Sequence, residues 1–224
     1  MARPRRVVPG TTYMITRRCY QRTFRLRLSA GTNQTYLYCL AWAAAKTGVE
    51  IHAACVMSNH HQLVLTDVYG TLPDFLRELH RTVAKALNAS QGQWENLWSA
   101  EPYHSLELAV DKDLIDKIAY VAATPTEAGL VESPEEWPGV LLLPGADMRT
   151  FTIARPTSYF TDAGAFPDKV TLRVTPVGGK RQPNADLLGR MAVAIQHAVK
   201  RAQAAILAGG RTFLGRDAVL GQSF

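Results

Sequence analysis

Two strand-like runs, residues 50–57 (EIHAACVM) and 60–66 (HHQLVLT), are joined by nothing more than Ser58-Asn59, a turn-forming pair. So tight a link makes them neighbours in one sheet and frames everything around them. Residues 11–18 (TTYMITRR) are β-branched and alternate loosely, and 104–110 (HSLELAV) alternate again, so each reads as a further strand. Helical stripes separate these runs. Residues 32–47 align Tyr36, Leu37, Leu40, Ala41 and Ala44, with Thr32 or Asn33 to cap the start and Gly48 the end. Residues 73–89 open on Pro73-Asp74 and carry Phe75, Leu76, Leu79, Val83, Ala86 and Leu87 at helical spacing. Residues 112–123 form another helix, capped by Asp111 and stopped by Pro125. The order is strand, helix, strand, strand, helix, strand, then one more helix. That is a ferredoxin-like βαββαβ pattern of the α+β class, an antiparallel sheet with helices on one face.

Residues 126–165 are rich in Pro, Gly and short turns. A strand is expected at 169–175 (KVTLRVT) and an Ala-rich helix at about 184–208, ended by Gly209-Gly210. This divides the chain into a first domain over 1–150 and a partly helical accessory extension over 151–224.

Charge is spread unevenly. The chain carries 25 Lys plus Arg against 19 Asp plus Glu, a net +6, yet residues 1–49 hold nine basic side chains and no acidic one. Residues 101–136 net −7. A basic block of that kind suits a polyanionic partner, and otherwise is a solvated surface. With 47% hydrophobic and 20% charged residues the chain is not globally disordered. No window has the ~18 apolar residues of a membrane span, and MARPRRVVPG lacks the apolar core of a signal peptide. Cys19, Cys39 and Cys55 are odd in number and far apart, as expected of small apolar side chains in a reducing cytoplasm.

The sharpest chemical feature is Asn59-His60-His61-Gln62 at the head of an apolar strand. Strand side chains alternate, so His60 and Gln62 face one way and His61 the other. An imidazole nitrogen and an amide oxygen two residues apart can form half of a site for a hard divalent cation. The same residues also read as a polar strand end with hydrogen-bonded histidines. On the helix at 112–123, Leu114, Ile118, Val121 and Ala122 make the apolar stripe, whereas Tyr120 lies off it with Asp113, Lys117 and Thr124. Tyr120 is either an ordinary surface tyrosine or a nucleophile awaiting a polarised phosphate, with Lys117 one turn away.

These residues carry a resemblance. VMSNHHQLVL is similar to the pattern M-x-N-H-U-H-L (U apolar) of the HUH-type single-tyrosine transposases, most nearly the REP-associated tyrosine transposases. VVPGTTYMITRR resembles that family's first strand. LPDFLRELHRTVAKALNASQGQWENLW resembles its helix and following loop, and YVAATPTEAGLV its Y-[IV]-x-x-N-P-[VI]-x-A-G-L-V block. The resemblance covers roughly 6–140 and leaves the extension out.

The resemblance implies a Mg²⁺- or Mn²⁺-dependent single-stranded DNA endonuclease and strand transferase. Tyr120 would be the nucleophile that forms a 5′-phosphotyrosine link. His60 would be the first metal ligand, Gln62 would stand at the second, and Thr124 would take the place of a further asparagine ligand. The chain departs from the pattern at His61, usually apolar, at Gln62, usually histidine, and at Thr124. The partner implied is single-stranded or hairpin DNA, bound by a monomer or homodimer. Arg6, Arg17, Arg18, Arg22 and Arg25 are the expected backbone contacts, with Tyr13, Tyr20, Phe24, Trp94 and Trp98 interleaved or nearby. A second reading is a DNA-binding module without catalysis. An unrelated metallo-hydrolase is disfavoured, because NHHQ has no carboxylate.

Overall fold

The structure is a computed structural model that describes residues 7–109, 111–157, 159–160, 166–176 and 185–222. The hairpin forms as expected from β2 (Glu50–Met57) and β3 (His60–Asp67), paired antiparallel from Met57↔His60 inward. β1 (Thr11–Arg18) lies antiparallel on the other side of β3, and β4 (His104–Glu107) flanks β1. The order β4-β1-β3-β2 is that of a ferredoxin-like split βαβ sheet.

α1 (Ala30–Thr47) starts earlier than the sequence predicts because Ser29, rather than Thr32 or Asn33, supplies the cap. The Ser29 Oγ accepts the Thr32 N–H at 3.0 Å. Gly48 ends the helix at φ +73°, where a Cβ would lie 2.5 Å from the Tyr69 ring. α2 (Leu72–Gln91) is anchored by the buried Asp67 carboxylate, which accepts the N–H groups of Thr71 at 2.8 Å and Leu72 at 3.0 Å.

α3 (Asp111–Glu127) runs through Pro125 instead of stopping before it. Proline removes a single intrahelical donor, and the turn is held on both sides. Thr124 Oγ1 donates to the Tyr120 carbonyl at 2.8 Å, and Ala128 and Leu130 N–H groups close onto Thr124 and Pro125.

The extension joins the same sheet. β6 (Arg149–Ala154) pairs antiparallel with β7 (Lys169–Val174), and β7 lies parallel beside β2 through Ile51↔Val174. The short β5 (Leu141–Leu142) also pairs β2, making seven strands among the described residues, mostly antiparallel. α4 (Ala185–Ala208) packs on α3, and α5 (Arg216–Leu220) follows.

The sheet separates two cores. On one side α1 and α2 bury Tyr36, Leu40, Phe75, Leu79 and Val83 against Ile15, Ile51, Leu63 and Leu65. On the other, α3 and α4 bury Ile115, Ile118, Val121 and Met191 against Met14, Cys55 and Val64. The helices α1 and α2 share one face as expected; the tyrosine-bearing helix covers the opposite one. Among the described residues no helix is long and apolar enough to cross a membrane.

Candidate active site

Strand alternation sends His60 and Gln62 toward α3, and the off-stripe position of Tyr120 brings its hydroxyl to meet them. The Gln62 amide nitrogen lies 3.4 Å from His60 Nε2 and 3.4 Å from Tyr120 Oη, both long contacts. Its carbonyl, Oε1, lies 3.0 Å from Thr124 Oγ1, whose single proton is shared between it and the Tyr120 carbonyl. Thr124 sits one turn after Tyr120, so α3 presents both to the same strand residue. Three of the four sequence-predicted site residues, His60, Tyr120 and Thr124, therefore converge on the buried amide of the fourth, Gln62, which is 1% exposed. Tyr120 is 40% exposed, open to a solvent-borne substrate. Lys117 Nζ stands 5.9 Å from the centre of its ring.

His60 is held in one tautomer by a residue whose role the sequence reading did not assign. Its Nδ1 is 2.7 Å from Asn59 Oδ1, a pure acceptor, so Nδ1 carries the proton and Nε2 keeps its lone pair. Burial, aided by the nearby Arg18 charge, pushes the His60 pKa down to about 4. The lone pair is thus free at neutral pH. Asn59 is the immediate sequence neighbour of His60 and stands at the asparagine of the resembled pattern, and those were its signals.

The donors around this point are one imidazole, one amide and one hydroxyl, all neutral. Among the described residues no group of three His, Cys, Asp or Glu could hold a metal ion. A hard cation such as Mg²⁺ or Mn²⁺ still fits a ligand-ready imidazole beside an amide oxygen, since such ions keep several waters and take substrate phosphate oxygens. The Gln62 oxygen is now turned to Thr124, and a half-turn of the amide exchanges it with the nitrogen.

His61 points away from this site, into the α1–α2 core. Arg17 can only donate, so His80 Nδ1 accepts from it at 3.2 Å. His80 Nε2–H then donates to His61 Nε2 at 3.0 Å, and His61 Nδ1–H to Tyr36 Oη at 2.7 Å. Trp98 packs against both imidazoles. Burial pushes His61 down to about 3 and His80 well below its ordinary value. This is a structural chain of neutral rings.

The expected DNA-contacting arginines divide between the two faces. Arg18 is exposed on the His60 side. Arg17 lies on the His61 side, its guanidinium 5.7 Å from the Trp98 ring centre. Arg25 reaches Asn88 of α2 at 2.8 Å. Arg22 is exposed in the turn after β1, with φ +57°. Arg6 falls outside the described residues.

No family model and no curated protein matches the sequence. Among solved structures the chain is similar to a REP-associated tyrosine transposase bound to a REP hairpin. The identity is 20%, the TM-score 0.52, and the match covers 62% of this chain and 81% of the other. It also matches a candidate transposase from Deinococcus radiodurans R1 at 21% identity and TM-score 0.38, over 51% of this chain and 91% of that one. The similarity to the first of these is one of fold: over the matched part this chain has the α+β architecture of a REP-associated tyrosine transposase.

Proposed function

We propose that this protein binds hairpin or single-stranded DNA and cuts and rejoins one strand through Tyr120, in the manner of the REP-associated tyrosine transposases. The observation that carries the reading is the convergence of Tyr120 Oη and His60 Nε2 on the Gln62 amide. The hairpin named with the similar structure and the first-strand arginines agree with it.

In this reading Tyr120 Oη attacks a backbone phosphorus. The P–O3′ bond breaks, the 3′-oxygen leaves and takes up a proton, and a 5′-phosphotyrosine link remains. The phenol proton passes to the water that reaches Tyr120. Lys117 holds its charge over the Tyr120 ring. Asn59 fixes the His60 tautomer, and Thr124 sets the Gln62 amide. A Mg²⁺ or Mn²⁺ ion on His60 Nε2 and Gln62 Oε1 would offset charge on the phosphate oxygens. Reversal by a 3′-OH rejoins strands with no outside energy source.

A second reading, hairpin binding without cleavage, is favoured by one observation: the Gln62 NH₂, not its oxygen, faces His60 and Tyr120. One experiment separates the two. The protein is incubated with labelled hairpin DNA and Mn²⁺ or Mg²⁺, then run on a denaturing gel. A covalent adduct that Tyr120→Phe abolishes is the expected result. Binding without adduct in the parent, with adduct gained by Gln62→His/Thr124→Asn, establishes the second reading.

A further inference from the structure

Within residues 50–100 the basic side chains are Arg77, Arg81 and Lys85 alone. All three are exposed, four residues apart, on one ridge of α2 that continues through Pro73 and Ala89. The opposite face of that helix is core, so apart from Asp74 the charged side chains it turns fully to water are cationic. The ridge ends in a cavity at each side. Near its N-terminus a cavity of about 450 Å³ is lined by Arg17, Arg77, Arg81, Trp98 and Tyr103. Arg17 is half-buried there, and among the described residues no carboxylate forms an ion pair with it. Near the C-terminus a cavity of about 550 Å³ is lined by Lys85, Asn88, Gln93, Trp94 and Tyr159. Trp94 is 96% exposed, so its indole adds nothing to the core and offers both faces to a planar partner.

The acids on this helix do not cancel the stripe. Glu78 is turned inward, taking the Trp42 indole N–H at 3.1 Å and Lys46 at 3.6 Å besides Arg81. Asp74 pairs with Arg77 at 2.8 Å, but both are exposed, and such a pair yields readily to phosphate.

We propose that the α2 ridge is a second DNA surface: an unpaired strand lies along it, phosphates on Arg17, Arg77, Arg81 and Lys85, bases on Tyr103 and Trp94. Cations that track a backbone beside aromatic platforms are what sequence-tolerant single-strand binding requires. The ridge is on the sheet face opposite Tyr120 and shares no side chain with the candidate active site. β4 is the sheet edge that follows Tyr103 in the chain. A strand leaving the ridge there crosses that edge toward α3. The inference takes from the proposed function only that DNA is the ligand.

The test uses the full chain and a fluorescein-labelled oligothymidylate, which forms no hairpin. Binding is followed by anisotropy across a salt series, and by tryptophan fluorescence with the unlabelled oligomer. The parent binds with quenching. Trp94→Ala weakens binding about tenfold and loses most of the quench. Arg81→Ala/Lys85→Ala lowers the slope of log K against log salt by about 1.4, two phosphates' worth. Parent-like binding, quench and slope in these variants overturns the proposal, whatever Tyr120 does to a hairpin. Failure of the parent to bind oligothymidylate also overturns it, and a hairpin adduct formed by that same protein leaves the active-site reading standing.

Discussion

Gln62 is the residue on which the site turns. It is nearly fully buried, and its NH₂ occupies the point toward which His60 Nε2 and Tyr120 Oη are directed. That amide does with hydrogen bonds part of what a cation would do with charge. A carboxylate there cannot donate. Gln62→Glu therefore buries an acid beside a lone pair, and should lower the stability of the metal-free protein by about 1–3 kcal/mol. It should also tighten Mn²⁺ binding at least tenfold, because a charged oxygen replaces a neutral one. Calorimetric titration with Mn²⁺ and thermal melts with and without the ion check both; a variant with lower stability that Mn²⁺ does not rescue counts against the site as a cation site. The facing of His60 and Gln62 was legible in the sequence, because strand alternation is a local rule. The orientation of the amide was not, since it is set by Thr124, 62 residues away.

At the scale of elements, α3 decides whether the site exists. Its apolar stripe packs on the sheet, and the off-stripe Tyr120 faces β3. Its second face carries Ala119 and Ala123 against Ala198 of α4. Small residues on both helices let them approach closely and fix the depth at which α3 sits. Ala123→Leu adds methylenes to a fully buried contact and should cost about 1–3 kcal/mol. Because Ala123 adjoins Thr124 and lies one turn from Tyr120, the same change should weaken adduct formation more than hairpin binding. Urea unfolding and paired binding and adduct assays measure the two effects; equal losses in binding and adduct would mean that α3 does not position Tyr120. The helix itself was readable from its periodicity, but its end was not. Proline stops a helix by removing one bond, and here tertiary packing and the Thr124 hydroxyl outweigh that loss. α4 was readable as a helix while its partner was not, for alanines advertise no particular neighbour.

For the molecule as a whole, the four-strand palm could be read from local patterns, whereas the docking of the extension rests on contacts the sequence does not announce. β7 joins β2 through one parallel bridge. His52 strengthens that seam: its Nδ1–H donates to the Thr175 carbonyl at 2.9 Å and its Nε2 accepts from Thr66 Oγ1 at 2.8 Å. Both ring nitrogens are used, and the ring is neutral. His52, His60, His61 and His80 all share that condition, each with its pKa lowered chiefly by burial. The consequence has a definite sign. Below pH 6.5 the unfolded chain takes up protons that the folded one refuses, so stability held at neutral pH is lost as pH falls toward the folded values. With His60 near 4 and His61 near 3, each contributes on the order of 2 kcal/mol of loss between pH 6.5 and 5. His52 and His80 add to it in the same direction. Set against a total stability of roughly 5–15 kcal/mol, this should move the urea midpoint sharply downward between pH 7.5 and 5. A midpoint that holds steady or rises over that range would mean the buried histidines accept protons in the folded state, and the neutral chain from Arg17 to Tyr36 would have to be redrawn.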